Sequence, residues 1–248
     1  MNNINFDFKN CKYVVTGASS GMGRQVTLEL AKAHAKVLAI GRNQEHLSQI
    51  QSLYPDNIVV ASVDVCHYQE LQSAIQYFVS QNGKLHGFVH AAGISGLTPF
   101  RNFDMRLARE IFEVNYWAGI SLIQICTKNA YSNHFASGVI FASAGAHEAP
   151  KGKFCYASSK SAILTAVKVA AKEVSNKGIR LNTVSPGWVN TEMTQSENNI
   201  VNSDEIRKKH LLGIGNPEDV SGVILFLLSD RSKWITGEDF IVDGGYLT

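Results

Sequence analysis

The stretch VVTGASSGMGRQ, residues 14–25, decides how the rest of the chain is read. It begins inside a short apolar strand pattern (KYVVT, 12–16) and ends in the first turn of a helix that the sequence predicts from about Gly21 to His34. Between the two, Gly17, Gly21 and Gly23 are spaced Gly-x-x-x-Gly-x-Gly. Glycine permits a sharp turn and lets another group come close to the backbone. A helix starting at such a turn presents free N–H groups to whatever lies in the loop. A tight turn with no ligand would need the same glycines. Strand, glycine loop and helix, placed at the head of a longer alternation, favour a cradle for the pyrophosphate of a dinucleotide.

That alternation runs the length of the chain. KVLAI (36–40), NIVVASV (57–63), LHGFVHA (85–91), GVIFAS (138–143), IRLNTVS (179–185) and DFIVDGG (239–245) are further strand candidates, separated by helical patterns. Their residues are apolar without strict alternation, as in strands buried on both faces. A parallel sheet with right-handed crossovers follows. The expected fold is α/β: a doubly wound Rossmann fold, mainly parallel, with about seven strands and helices on both faces. No linker, repeat or low-complexity run interrupts it, so residues 1–248 are expected to form one domain. The least regular part, 188–215, is expected to be a substrate loop or lid.

Composition removes several classes of function. A formal charge of +2 over 248 residues leaves no footprint for nucleic acid or an anionic membrane. The short run Arg207–Lys208–Lys209 reads as a solvated helix face. No apolar run approaches the ~18 residues of a membrane span, and MNNINFDFKN lacks the pattern of a secretory signal. Cys11, Cys66, Cys126 and Cys155 are scattered, without metal or disulfide spacing. The expectation is a cytoplasmic protein that holds no metal.

Within FCYASSKSAI (154–163), Tyr156 and Lys160 stand four residues apart, on one face of a helix. Alone this is a weak signal. It gains weight from the order of the other motifs: Asp64–Val65, HAAG (90–93), VNYWAG (114–119), IFASAGA (140–146), YASSK (156–160), NTVSPGWVNTEM (182–193) and VDGG (242–245). In that order, and over essentially the whole chain, the sequence resembles the short-chain dehydrogenase/reductase family, particularly its 3-oxoacyl-acyl-carrier-protein reductase-like members.

The resemblance implies an oxidoreductase that interconverts a ketone and a secondary alcohol by hydride transfer. It implies Tyr156 as acid/base, Lys160 as the cation that lowers the phenol's pKa and holds the nicotinamide ribose, and Ser143 as a donor to the substrate oxygen. Asn115, which read alone would be a helix surface residue, becomes a link in a water-mediated proton relay to Lys160. For the cofactor it implies Gly17, Ser19, Ser20, Gly21, Met22 and Gly23 in the loop, Asp64 and Val65 at the adenine edge, and Ala92 and Gly93 beside them. Pro186, Gly187, Val189 and Thr191 fall around the nicotinamide. The second strand ends in Gly41–Arg42, where an aspartate would mark NAD. A guanidinium there suits a 2′-phosphate, so NADP(H) is the expected cofactor, with Arg24 as a second candidate cation.

One departure stands out. His90 and Ala91 replace the two asparagines of the family's usual Asn-Asn-Ala-Gly. A buried strand-end histidine is expected, with one structural tie lost at the fourth strand. The substrate is not named by the sequence: sugar, polyol, steroid-like and small ketones stay open. The segment ISGLTPFRNFDMRLAREIF argues against a housekeeping 3-oxoacyl-carrier-protein reductase without removing it. A non-catalytic dinucleotide sensor would have lost one of Asn115, Ser143, Tyr156 and Lys160. Family isomerases, epimerases and dehydratases are usually longer. The family habit, with the small and apolar residues Ala162, Ala166, Val169 and Ala170 and the bare Tyr246–Leu247 end, predicts a homotetramer, or failing that a dimer.

Overall fold

The structure, a computed structural model, describes residues 5–197 and 203–248. Its seven strands are β1 (Lys12–Thr16), β2 (Lys36–Gly41), β3 (Ile58–Ser62), β4 (Leu85–His90), β5 (Ser132–Phe141), β6 (Arg180–Pro186) and β7 (Asp239–Val242). They form one parallel sheet in the order β3-β2-β1-β4-β5-β6-β7. The order reverses direction between β1 and β4, which opens a crevice at the carboxyl ends of those strands. This is the doubly wound Rossmann fold that the sequence predicts.

The helices are α1 (Gly21–Lys32), α2 (Gln44–Leu53), α3 (Tyr68–Asn82), α4 (Met105–Phe112), α5 (Ala118–Cys126), α6 (Gly145–Glu148), α7 (Phe154–Val174), α8 (Glu192–Glu197), α9 (Ser203–Lys209) and α10 (Pro217–Leu228). Side chains of a strand alternate between its faces, and here both faces are apolar. Val15, Val37, Val89, Val139 and Val184 pack with α1 and α10 through Val26, Leu30, Val220 and Ile224. On the other face, Val14, Leu38, Phe88, Ile140 and Leu181 pack with α3, α5 and α7 through Leu71, Leu122 and Ile163. Each large side chain so buried contributes roughly 1.5–3 kcal/mol. The unbroken apolar strands of the sequence are thus explained by two cores, one on each side of the sheet.

The predicted elements appear with shifted ends. The first helix stops at Lys32, where His34 takes a positive φ of 68°. β5 begins six residues earlier than expected, at Ser132, beside a register irregularity with β4. Between α4 and α5, residues 113–117 form a π turn in which the Ala118 N–H reaches back to the Glu113 carbonyl. Such turns push one residue out of helical register, often at functional sites. Here the displaced turn carries Asn115. The expected lid falls partly outside the described residues. Its described portions contain α8, α9 and the loop 210–215, which is stitched to its neighbours by Gly215 N–H to the Trp188 carbonyl (3.1 Å) and Leu212 N–H to the Gly244 carbonyl (3.0 Å).

Candidate active site

The glycine loop leaves the end of β1 and enters α1 at the sheet's switch point. Gly17 has φ 68°, and a Cβ added there would lie 2.5 Å from the Ala92 nitrogen. A Cβ on Gly23 would collide with the Gly17 carbonyl. The loop is therefore folded against itself and against the end of β4, as close as backbone permits. Beside it lies a cleft of about 180 Å³. Gly17, Ser19, Ser20, Gly21, Met22 and Gly23 line it from below, Arg42, Asp64 and Val65 from the β2 and β3 ends, and Ala92, Gly93 and Thr191 from the far side. A row of N–H groups at a helix start, in a loop with no room for side chains at Gly17 and Gly23, fits a dinucleotide.

Three charged residues line the cleft: Arg42, Asp64 and Glu192. Asp64 is held below its ordinary carboxylate pKa, chiefly by the Cys66 N–H that its Oδ1 accepts at 3.0 Å, with a smaller pull from the Arg42 cation. Among the described residues the Arg42 guanidinium is exposed and makes no ion pair or side-chain hydrogen bond. Arg24 is exposed too, but it does not line the cleft.

A second cavity, of about 670 Å³, adjoins the first at Met193. Ser143, Tyr156, Pro186 and Gly187 line it. Ser143 follows β5 and accepts the Gly145 N–H at 3.0 Å through its oxygen, which leaves its proton to donate. A Cβ added at Gly145 would sit 3.3 Å from Ser143 Oγ and 3.7 Å from Tyr156 Cε1, so the hydroxyl and the phenol ring flank the same glycine.

Behind this wall, Lys160 is only 4% exposed and donates to the Phe141 carbonyl at 2.7 Å. Burial pushes its pKa down to about 8. Asn115, read in isolation a surface residue, is fully buried. Its Oδ1 accepts the Ile94 N–H at 2.8 Å, and its Nδ2 donates to the Ile94 carbonyl (3.0 Å) and to Ser159 Oγ (3.1 Å). The amide thus ties the segment after β4 to the helix of Tyr156 and Lys160. Asn115 Oδ1 and Lys160 Nζ both flank Gly93, at 3.3 and 3.6 Å from a Cβ placed there. Val189 lines neither cavity: it is buried, and its carbonyl accepts from Thr194 Oγ1 at 2.7 Å.

His90 is the buried strand-end histidine that the sequence predicts. Its Nδ1 pairs with Thr16 Oγ1 at 2.9 Å, joining β4 to β1 where an asparagine amide was expected to be missed. Among the described residues its Nε2 has no hydrogen-bond partner within normal geometry, although the Val114 carbonyl is near enough to favour the protonated ring slightly. Burial, with the Lys160 charge behind it, pushes the imidazole pKa down to about 3. A ring that stays neutral throughout the ordinary pH range is a structural tie rather than a base.

Residues 17–247 match the family model described as enoyl-(acyl carrier protein) reductase. The chain belongs to the short-chain dehydrogenase/reductase family. It is 28% identical to the 3-oxoacyl-(acyl-carrier-protein) reductase FabG of Rickettsia conorii over 94% of this chain and 95% of that protein. It is 30% identical to D-erythrulose reductase of Gallus gallus over 97% of each. Among solved structures, ElxO with NADP bound superposes with a TM-score of 0.87 at 27% identity, covering 96% of this chain and 98% of the other. The protein is thus an oxidoreductase of a family that uses nicotinamide dinucleotides. Among the described residues no helix is long and apolar enough to cross a membrane, and no group of side chains is arranged to hold a metal.

The site also contains residues that no motif announced. Glu148, Lys153, Lys209, His210 and Tyr246 all line the second cavity. They come from four separate segments, so no local spacing marks them.

Proposed function

We propose that this protein is an NADP(H)-dependent reductase that interconverts a ketone and a secondary alcohol, with Asn115, Ser143, Tyr156 and Lys160 as its catalytic set. The observation that carries the reading is the pairing of Ser143 and Tyr156 on the wall of the larger cavity, with a buried ammonium beneath them. When bound, the reduced nicotinamide supplies the hydride. The Ser143 hydroxyl donates a hydrogen bond to the substrate oxygen. The Tyr156 phenol gives its proton to that oxygen as negative charge develops on it. At a pKa of about 8, Lys160 is still mainly ammonium at neutral pH, and a nearby cation makes the phenolate less costly. Asn115 holds the helix that carries both.

Arg42 supports NADP(H) over NAD(H): it is a cation with no partner of its own among the described residues, at the strand end where an acid would repel a phosphate. The NADP in the similar ElxO structure points the same way. Segment 188–215 would act as the substrate loop, since Met193, Ile206, Lys209 and His210 reach the larger cavity from it. Val169, half exposed on α7 beside the partly buried Ala162, Ala166 and Ala170, supports a homotetramer, with a dimer as the simpler form. Tyr246 gives that assembly less support than its sequence position suggested, because its ring and hydroxyl are engaged within the chain. Four unpaired cysteines suit the reducing cytoplasm.

The test is loss of reduced-nicotinamide absorbance with NADPH or NADH and a panel of D-erythrulose, cyclohexanone, an acetoacetyl thioester and a crotonyl thioester. A ketone should be reduced with NADPH preferred, and Arg42→Ala should cost NADPH binding about 1.5–3 kcal/mol while sparing NADH. Equal affinity for the two cofactors would sink the NADP(H) reading. Reduction of the crotonyl thioester alone would replace carbonyl chemistry with double-bond chemistry.

A further inference from the structure

The larger cavity has one wall held by side chains from three distant parts of the chain. His210, just past α9, is 4% exposed. Its Nε2 accepts the Trp188 N–H at 3.0 Å, while its Nδ1 lies 2.7 Å from the Ile206 carbonyl and donates to it. One nitrogen accepting and the other donating describes the neutral ring with its proton on Nδ1. The ring stacks on Tyr246, with centroids 4.5 Å apart and planes 17° apart. The Tyr246 hydroxyl donates to Glu148 Oε2, and Lys209 Nζ donates to Glu148 Oε1 at 3.1 Å.

We propose that His210 is a positioning residue for substrate: it fixes the Trp188 backbone, and Tyr246 with Glu148 fixes His210. The consequence for binding follows from place. Trp188 directly follows Pro186–Gly187, and all three line the cavity beside Tyr156. Among the described residues the Trp188 N–H has His210 as its only hydrogen-bond partner. On the other side, the Trp188 carbonyl accepts from Gly215 N–H at 3.1 Å. Removing the imidazole leaves this peptide tied at one end only, in the wall that a ketone must meet. The glycine-loop cleft contains none of these groups, so the pyrophosphate and adenine end of the cofactor keeps its contacts, and any loss of cofactor affinity should be smaller than the loss of substrate affinity. The role in substrate binding rests on the proposal that this cavity takes the ketone; the tie to Trp188 does not.

The chain has three tryptophans, so protein labelled with ¹⁵N-tryptophan gives three backbone amide signals, with Trp117 and Trp234 as internal controls. In His210→Ala, hydrogen exchange at the Trp188 amide should accelerate at least tenfold while the other two hold. His210→Gln, which keeps an acceptor for that N–H, should retain most of the protection. With the ketone turned over best, KM should rise at least tenfold in the alanine variant and recover in part with glutamine, while the NADPH Kd changes by a smaller factor than KM. Unchanged Trp188 exchange in His210→Ala overturns the proposal even if every ketone is reduced. Faster exchange with an unchanged KM overturns the substrate role. Faster exchange in a protein that reduces no ketone upholds the tie to Trp188 and removes the catalytic reading instead.

Discussion

The two cavities are built by opposite means. The cofactor cleft is shaped by backbone: Gly17 and Gly23 approach their neighbours so closely that an added methyl would strike main-chain atoms. The larger cavity is shaped by side chains reaching across the fold. Tyr246 meets Glu148, 98 positions away, and Lys209 meets the same carboxylate from 61 positions away. Backbone contacts of the first kind tolerate almost no change of residue. Side-chain contacts of the second kind can be exchanged in pairs, and so a cavity of that kind can be refitted to a new substrate while the cofactor half stays as it is.

The sharpest way to break this contrast is Gly23→Ala. Its new methyl meets the Gly17 carbonyl, which cannot rotate away as a side chain would. We expect at least a hundredfold weaker NADPH binding by fluorescence titration and a loss of about 3 kcal/mol in stability, at the upper end for overpacking. Ordinary binding would mean that the loop is pliable and the contrast unfounded.

A second test concerns Lys160, which lines neither cavity and is buried beside Gly93. Burial lowers its pKa from 10.5 to about 8 in the folded chain. Between those values the unfolded chain holds a proton that the folded chain has released, so this residue's own contribution to stability rises with pH across that window, while the thiols of Cys66 and Cys126, whose pKa burial raises, contribute in the opposite direction. The full gain is about 3 kcal/mol, and below pH 8 the burial penalty is present in full. Urea titrations of the cofactor-free protein and of Lys160→Met from pH 7.5 to 10 isolate the gain as a difference: the wild-type stability should gain on the variant's as pH rises. Parallel pH profiles for the two proteins would show that the ammonium is not buried at a cost.

His90 gives the smaller effect, at the acid end. Its pKa is about 3 folded against 6.5 in its ordinary state. As pH falls below 6.5 the unfolded chain gains a proton that the folded chain refuses, and stability drops. Between pH 6.5 and 4.5 the loss amounts to about 2 kcal/mol. His90→Gln should remove that share of the acid sensitivity and leave the carboxylates' share in place. Identical acid curves for the two proteins would mean that the ring titrates normally.

How much could be read from the sequence follows the same division. The strands were legible because residues such as Val14 and Val15 are both buried, on opposite faces, which produces an unbroken apolar run. The glycine loop was legible because only glycine meets its backbone demands. Asn115 was assigned by resemblance, but its burial came as a correction to its reading in isolation, since the π turn that swings it inward has no spacing of its own. The compensation at His90 was invisible because Thr16 lies 74 positions away. The network of Glu148, His210 and Tyr246 escaped for the same reason: nothing local distinguishes a histidine that will accept a peptide N–H from one that faces water.

The central claim is that Tyr156 moves the proton in an NADPH-dependent ketone reduction. It is tested most directly by comparing wild-type protein with Tyr156→Phe at saturating NADPH and ketone, following absorbance, with cofactor affinity measured alongside. The account predicts a fall in kcat of roughly a hundredfold or more, the scale of a lost general acid, with NADPH affinity within about twofold of wild type. A phenylalanine variant that turns over near the wild-type rate would contradict it.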